Sequence, residues 1–327
     1  MVIKFNPTII KKKSSDKIKY TYINNNKLVN DKKIIKYIES LKIPPNWNDT
    51  KIDISKKTLL HAIGIDKSGK KQYLYSAQHE INRDKKKFSK LIYFAKNIDK
   101  INNKINYYLK NNEKSKEHYI CLIVKILLTC SFRIGEHTCM IKHNSRGLTT
   151  IQCKHLNIQN KNNNILIDFI GKKGVRNICK INKKNNPLIY KNIINICNNR
   201  KPNDFVFMFK NKRITFLDIN NFLKKFNITS KTIRTWNLNK LLIENLINNL
   251  NVYDKTKRKK IINIILKKQA KKLYHTLAIT KRSYLFTPLK DMYINDIYLL
   301  KEILKIDNKK LNNKDRLLLI LEYYFKT

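Results

Sequence analysis

Short alternating runs dominate the first quarter of the chain, and helical periodicity dominates the rest. Up to about Asp84 the spacing of apolar positions predicts strands at Val2 to Phe5, Tyr20 to Ile23, Ile52 to Ile54, Leu59 to Ile65 and Gln72 to Tyr75, with one amphipathic helix at Lys32 to Leu41. Pro44 and Pro45 end that helix and start an extended segment at Trp47. The run Arg83 to Lys87 reads as a charged connection, and Phe88 to Leu109 is helical beyond it. Tyr119 to Phe132 is apolar almost all round and reads as a core helix, too short to span a membrane. Two strands, Ile165 to Ile170 and Val175 to Ile181, flank a Gly171–Lys172–Lys173–Gly174 turn. Phe205 to Phe209 reads as another strand and Leu217 to Phe226 as a helix, and helices fill the remainder, with Ser230 and Thr280 as expected N-caps and the last two at Tyr293 to Leu304 and Asp315 to Tyr324. The pattern is that of an α+β chain: a small strand-rich N-terminal domain over 1–84 and a larger, mostly α-helical domain over 85–327.

Charge changes the picture most. Seventy Lys and Arg stand against 23 Asp and Glu among 327 residues, a net charge of +47. A cationic surface of that size calls for a polyanion; aromatic residues interleaved with the charge favour nucleic acid over codon bias alone, with an anionic membrane surface the lesser rival. The abundance of Lys, Asn and Ile also has the look of an AT-rich coding genome. No apolar run of eighteen residues and no signal-peptide core is present, so a soluble intracellular protein is expected, with no membrane partner. The six cysteines form no CxxC pair and read as reduced, packed thiols. Cys139, His143, Cys153 and His155 fit no familiar zinc spacing, so no metal is expected.

Candidate chemistry is scattered along the chain. In the run from Asp66 to Tyr75, strand alternation puts Tyr73 and Tyr75 on one face and Gln72 on the other. With Lys70, Lys71 and the more distant Arg83 they make a set suited to phosphate contact and base-edge reading, or else a solvated hairpin. Arg133 ends a buried helix, where a charge needs a partner that could be a phosphate as readily as a carboxylate. Lys172 sits at a hairpin tip, and Arg234 about one turn into a helix. His275 and Tyr284 are nine residues apart, on opposite faces of any unbroken helix. A break must lie between them, and with Thr280 as cap Tyr284 would sit in the first or second turn of a new helix.

Taken in order, these residues resemble the motifs of type IB DNA topoisomerases, most closely the small poxvirus-type enzymes, over nearly the whole chain. Leu41 to Trp47 resembles the family's Ile-Pro-Pro segment and Gly69 to Tyr75 its basic Gln-Tyr-x-Tyr segment. Ser131 to Gly135, followed by Gly147 to Thr150 and His155, resembles the first arginine motif. Phe169 to Lys172 resembles the lysine hairpin, Ile233 to Trp236 the second arginine motif, and His275 to Tyr284 the last. The resemblance implies the topoisomerase IB and tyrosine recombinase type of helical catalytic domain, closing with the N-terminal domain around duplex DNA as a clamp.

It also implies a reaction: Tyr284 attacks a phosphodiester to leave a 3′-phosphotyrosyl bond and a free 5′-hydroxyl, the strand swivels, and the reverse attack reseals it. Arg133, Arg234 and His275 would bind the phosphate and Lys172 would protonate the leaving oxygen. No ATP, metal or other cofactor would be needed, and a monomer acting in the virion and the infected-cell cytoplasm is implied. Three positions depart from the family. Tyr274 stands where relatives often have glycine, and Glu136 and Cys139 stand where poxvirus enzymes carry a basic residue and a tyrosine that reads the cleavage site. The rival readings are a tyrosine recombinase, against which Thr232 stands two residues before Arg234 in place of a histidine, and a non-catalytic DNA-compacting protein.

Overall fold

An antiparallel sheet organises the N-terminal part of the protein, whose computed structural model describes residues 8–13, 20–24, 26–55, 58–111, 114–308 and 310–326. The chain divides into two units, Met1–Lys87 and Phe88–Thr327. In the first, β1 (Thr8–Lys13), β2 (Tyr20–Asn24), β3 (Lys27–Leu28), α1 (Lys32–Ser40), β4 (Asn48–Asp53), β5 (Leu60–Ile65) and β6 (Lys71–Tyr75) follow in order. The sheet order is β3-β2-β1-β4-β5-β6. Ile9, Ile52 and Ala62 point from its strands onto Ile38 of α1 and Ile43. Asp31 caps α1 by accepting from the backbone N–H groups of Lys33 and Ile34. The expected strand at Val2 to Phe5 lies outside the described residues. β1 went unpredicted because half of its TIIKKK sequence is lysine, although Ile9 is buried within it.

The charged run expected as a connection is helix instead. α2 (Ala77–Lys110) starts well upstream of Phe88. Lys, Arg, Asp and Glu are adequate helix formers, no Gly or Pro interrupts them, and Lys87 pairs with Asp84 at 3.1 Å one turn away. From Phe88 onward the buried positions of α2, such as Leu91, Phe94 and Ile98, belong to the core of the second unit.

That unit continues through α3 (Lys116–Cys130), α4 (His137–His143), β7 (Leu156–Gln159), β8 (Asn164–Ile170), β9 (Arg176–Asn182), α5 (Pro187–Cys197), β10 (Met208–Phe209) and β11 (Lys212–Arg213). The chain then forms α6 (Phe216–Lys224), α7 (Ser230–Ile247), α8 (Lys255–Lys272), α9 (Leu277–Ser283), α10 (Thr287–Asn295), α11 (Ile297–Ile303) and α12 (Asn313–Lys326). β7, β8 and β9 form an antiparallel sheet, and helices supply the rest of the core around α3 and α7. Trp236 of α7 meets Phe94 of α2 edge-on at 5.5 Å.

Three further expectations change. The strand at Phe205 to Phe209 shrinks to Met208–Phe209, and the helix expected at Tyr293 to Leu304 is two, broken at Asp296, whose carboxylate accepts from Leu299 N–H to cap α11. The cysteines are not all free thiols: Cys130 and Cys179 form a disulfide between the end of α3 and β9, 49 residues apart in sequence. Among the described residues no helix is long and apolar enough to cross a membrane.

Candidate active site

Arg133 is held on a backbone pinned at both ends. α3 stops at Ser131, which takes a left-handed conformation (φ 57°). Asn237 of α7 donates to Ser131 Oγ at 2.8 Å and to Leu128 O at 2.9 Å, covering the helix end. Beyond Arg133, its own carbonyl and that of Ile134 accept from Leu148 and Thr149 N–H at 3.0 and 2.8 Å. Gly135 and Gly147 cross so closely that a Cβ on Gly147 would lie 2.4 Å from Gly135 Cα.

Arg234 comes from α7. The cap is Thr229, not Ser230: its hydroxyl accepts from Thr232 N–H, and Thr232 Oγ1 accepts from Thr229 N–H, each at 3.2 Å. Both threonines serve the box, so the helix starts one residue earlier than Ser230 alone suggests. Arg234 is 3% exposed, and its Nη2 donates to Leu273 O and to His275 Nε2, both at 2.7 Å. Its Nε has no partner in the structure. Burial lowers its pKa to about 10, which still leaves it charged at neutral pH.

The break between His275 and Tyr284 lies directly after the histidine. α8 ends at Lys272, Tyr274 turns the chain with φ 57°, and Thr276 caps α9 by accepting from Ile279 N–H at 3.3 Å. The expected cap Thr280 is buried inside α9, and Tyr284 is at the helix's C-terminal end, not its start. Lys281 and Arg282 suit that last turn by facing the negative end of the helix. One short helix thus folds the Tyr284 ring back over His275, with centroids 4.6 Å apart and planes inclined by 27°. Asn239 of α7 holds the tyrosine's backbone, donating to Tyr284 O at 2.9 Å and accepting from Phe286 N–H at 2.8 Å.

Arg133, Arg234, His275 and Tyr284 therefore share one electrostatic neighbourhood. The Arg234 guanidinium carbon lies 5.5 Å from the Tyr284 ring centre and Lys231 Nζ 5.8 Å. Burial first, then Arg234 and Arg133, push the His275 pKa down to about 3, so its ring is neutral at pH 7. Burial likewise lowers the Arg133 pKa, against the pull of nearby Tyr284. Among the described residues no carboxylate pairs with either arginine. Two guanidinium groups, a neutral imidazole and a phenol without an acid suit a phosphate group.

The remaining predicted residues belong to other elements of the fold. Lys172 is exposed at the β8–β9 turn, and among the described residues no hydrogen bond, ion pair or ring contact joins it to the four. Gly171 permits that turn, since a Cβ there would lie 2.4 Å from Asn177 Nδ2. In the first unit Lys70 and Lys71 are exposed, and Gln72 donates to Asp66 at 2.7 Å. Tyr73 stacks with Tyr75 at 6.2 Å, and Tyr75 with His79 at 4.1 Å. Arg83 lies on α2 beside Glu80 and Asp84. Cys153 faces Cys197 with sulfurs 3.8 Å apart, and among the described residues no three of His, Cys, Asp and Glu gather as metal ligands.

The sequence profile of the eukaryotic DNA topoisomerase I catalytic core matches residues 68–305. The chain belongs to the type IB DNA topoisomerase family. This topoisomerase is similar over 340 aligned residues to the DNA topoisomerase 1B of Acanthamoeba polyphaga mimivirus, at 28% identity covering 97% of this chain and 95% of the relative. It is 25% identical over 272 residues to the DNA topoisomerase 1B of vaccinia virus (strain Copenhagen), covering 82% and 84% of the two chains. It is 26% identical over 244 residues to the DNA topoisomerase 1 of rabbit fibroma virus, covering 74% of each. As a member of this family it is an isomerase that relaxes supercoiled duplex DNA by breaking and resealing one strand.

Sequence reasoning missed the residues that build the topoisomerase's site from behind. Asn237 and Asn239 are polar residues inside an apolar helix, a pattern that signals either a solvated side or a buried clamp. His79 was passed over because it falls between the strand ending at Tyr75 and the charged run that starts at Arg83; four residues after Tyr75, it follows β6 into the first turn of α2.

Proposed function

We propose that Tyr284 is the nucleophile of this topoisomerase and that Arg133, Arg234 and His275 hold the reacting phosphate. The observation that carries the reading is their convergence from three separate stretches of chain without an acidic partner. Tyr284 Oη forms the new bond to phosphorus, its phenolic proton passing to solvent, while the bond to O5′ breaks, leaving a 3′-phosphotyrosyl ester. Positioned cations that need not reorganise stabilise the charge on the non-bridging oxygens. The departing 5′-oxygen takes a proton from Lys172, brought in by its exposed hairpin when DNA binds. Resealing reverses each step.

Tyr274, the neighbouring phenol, is a poor nucleophile. Its hydroxyl donates to Ile178 O at 2.5 Å, and burial pushes its pKa up to about 12. The stacked Tyr73 and Tyr75 beside Lys70, Lys71, Gln72 and Arg83 support a DNA-binding role for the N-terminal unit. All the proposed reacting groups belong to one chain, which supports a monomeric enzyme, and the viral relatives support action in the virion and the infected-cell cytoplasm.

The test is relaxation of supercoiled plasmid in EDTA without ATP, with denaturant-trapped covalent adduct scored alongside. Tyr284→Phe is expected to abolish relaxation and adduct with DNA binding retained, while Tyr274→Phe still forms adduct and still relaxes plasmid, at a reduced rate. Wild-type adduct without relaxation points to strand exchange, and no adduct at all to charge-driven DNA compaction.

A further inference from the structure

Tyr274 has a place in the fold that the nucleophile's neighbour does not need for packing alone. It is a tyrosine in a left-handed backbone conformation (φ 57°), the second of the two residues between the end of α8 and His275. Side chains with a Cβ adopt that conformation at a cost, so something must hold it there. Its ring stacks on Phe132 at 5.4 Å, the residue preceding Arg133, and Phe132 in turn meets Phe169 of β8 at 4.9 Å. Its hydroxyl donates to the carbonyl of Ile178 on β9.

Ile178 is six residues past Lys172, and it pairs with Asp168 two steps in from Ile170 and Arg176, the last pair before the turn. The tip beyond that pair, from Lys172 to Val175, is exposed. Where the tip can reach is therefore set by where the two strands are fastened. Tyr274 fastens them to the turn that carries His275 and to the segment that carries Arg133.

We propose that Tyr274 is a positioning residue for the leaving-group proton, its phenol tying the Lys172 hairpin to the His275 turn. The inference rests on Lys172 as the general acid. The raised pKa of the half-buried phenol keeps it a donor throughout the working pH range. The Cys130–Cys179 disulfide crosses the neighbouring position of the same strand, so both ties secure β9 at one level.

A leaving group that needs no proton separates this role from a general loosening of the fold. An alkoxide departs with a proton, whereas a thiolate, with a thiol pKa of about 8.5, departs largely without one. Single-turnover cleavage would be measured at the mapped cleavage site of a duplex carrying either the natural 5′-oxygen or sulfur at that bridging position. A reductant in the buffer removes the disulfide's contribution. Tyr274→Phe keeps the ring and loses only the hydroxyl. It is expected to cut oxygen-substrate cleavage by about 10- to 100-fold, as a misplaced catalytic group does, and sulfur-substrate cleavage by less than about twofold. Lys172→Ala should show the same selectivity, more strongly. Because the ratio of the two rates is internal to each variant, partial loss of folded protein drops out. If Lys172→Ala is rescued by sulfur but Tyr274→Phe slows both substrates alike, or neither, the positioning role is overturned. If sulfur fails to rescue Lys172→Ala, the general-acid reading falls first and this inference with it.

Discussion

Arg234 donates to His275, Nη2 to Nε2 at 2.7 Å, and this contact fixes which ring nitrogen carries the proton. A guanidinium only donates, so Nε2 accepts, and the neutral ring keeps its hydrogen on Nδ1, which has no partner among the described residues. Against the buried charge of Arg234 and the nearby Arg133, a second proton on this ring is held off until about pH 3. On the proposed reading, His275 would meet the reacting phosphate as a neutral ring.

The first expected outcome is that His275 contributes no step to the cleavage rate between pH 5 and 8. Single-turnover profiles of wild type and His275→Asn, which donates without titrating, should have the same shape over that range. Stability should respond with a definite sign. The folded pKa lies below the unfolded value near 6.5, so the unfolded chain binds the extra proton, and His275's contribution is whole above pH 6.5 and drains away toward pH 3. Thermal melts between pH 6.5 and 4.5, above most carboxylate titration, should fall more steeply for wild type than for His275→Asn.

Arg133 offers a separation of rate from stability. Among the described residues its side chain makes no hydrogen bond or ion pair, and its neighbours include a second arginine. Removing the side chain relieves a repulsion and breaks no hydrogen bond. Arg133→Ala should slow cleavage by roughly a thousandfold, about 4 kcal/mol, while the melting temperature stays level or rises. An unchanged cleavage rate would take Arg133 out of the site.

Gly147→Ala tests the crossing beneath it. The backbone at Gly147 is extended (φ −150°), so alanine is conformationally welcome, but its Cβ would meet Gly135 backbone at 2.4 Å. Neither strand can yield without moving the carbonyls of Arg133 and Ile134. A destabilisation of about 1–3 kcal/mol in urea denaturation is expected, with loss of cleavage beyond what the unfolded fraction explains.

The candidate residues could be named because the family resemblance rests on residue types in a fixed order: two arginines, a hairpin lysine, a histidine and a tyrosine. The local geometry was less legible. Thr276 and Thr280 carry the same capping signature, and the choice between them is made by Tyr274, whose left-handed turn ends α8 just ahead of His275. The run from Arg83 to Lys87 reads equally as a loop or a solvated helical face until Phe88 is seen continuing the same helix. Lys172 could be named from its turn, yet nothing in the sequence says how far its tip stands from the other four. The disulfide was invisible because Cys130 and Cys179 are joined only by the packing of α3 against the sheet.

Asn239 carries the sharpest structural prediction. Its amide is fully buried and fully used: Nδ2 donates to Thr235 O at 2.7 Å and to Tyr284 O at 2.9 Å, and Oδ1 accepts from Phe286 N–H at 2.8 Å. It thus links the helix of Arg234 to the backbone on both sides of Leu285. Asn239→Ala strands the Tyr284 carbonyl and the Phe286 N–H away from water, each such loss costing about 1–3 kcal/mol. Asn239→Asp keeps an acceptor for Phe286 N–H but faces the Tyr284 carbonyl with an oxygen, and should be the worse of the two. Urea denaturation should rank them wild type, alanine, aspartate. Single-turnover cleavage by the folded fraction should fall in the same order, because the Tyr284 ring loses its register on His275. If the folded alanine variant cleaves at the wild-type rate, the clamp serves the fold alone.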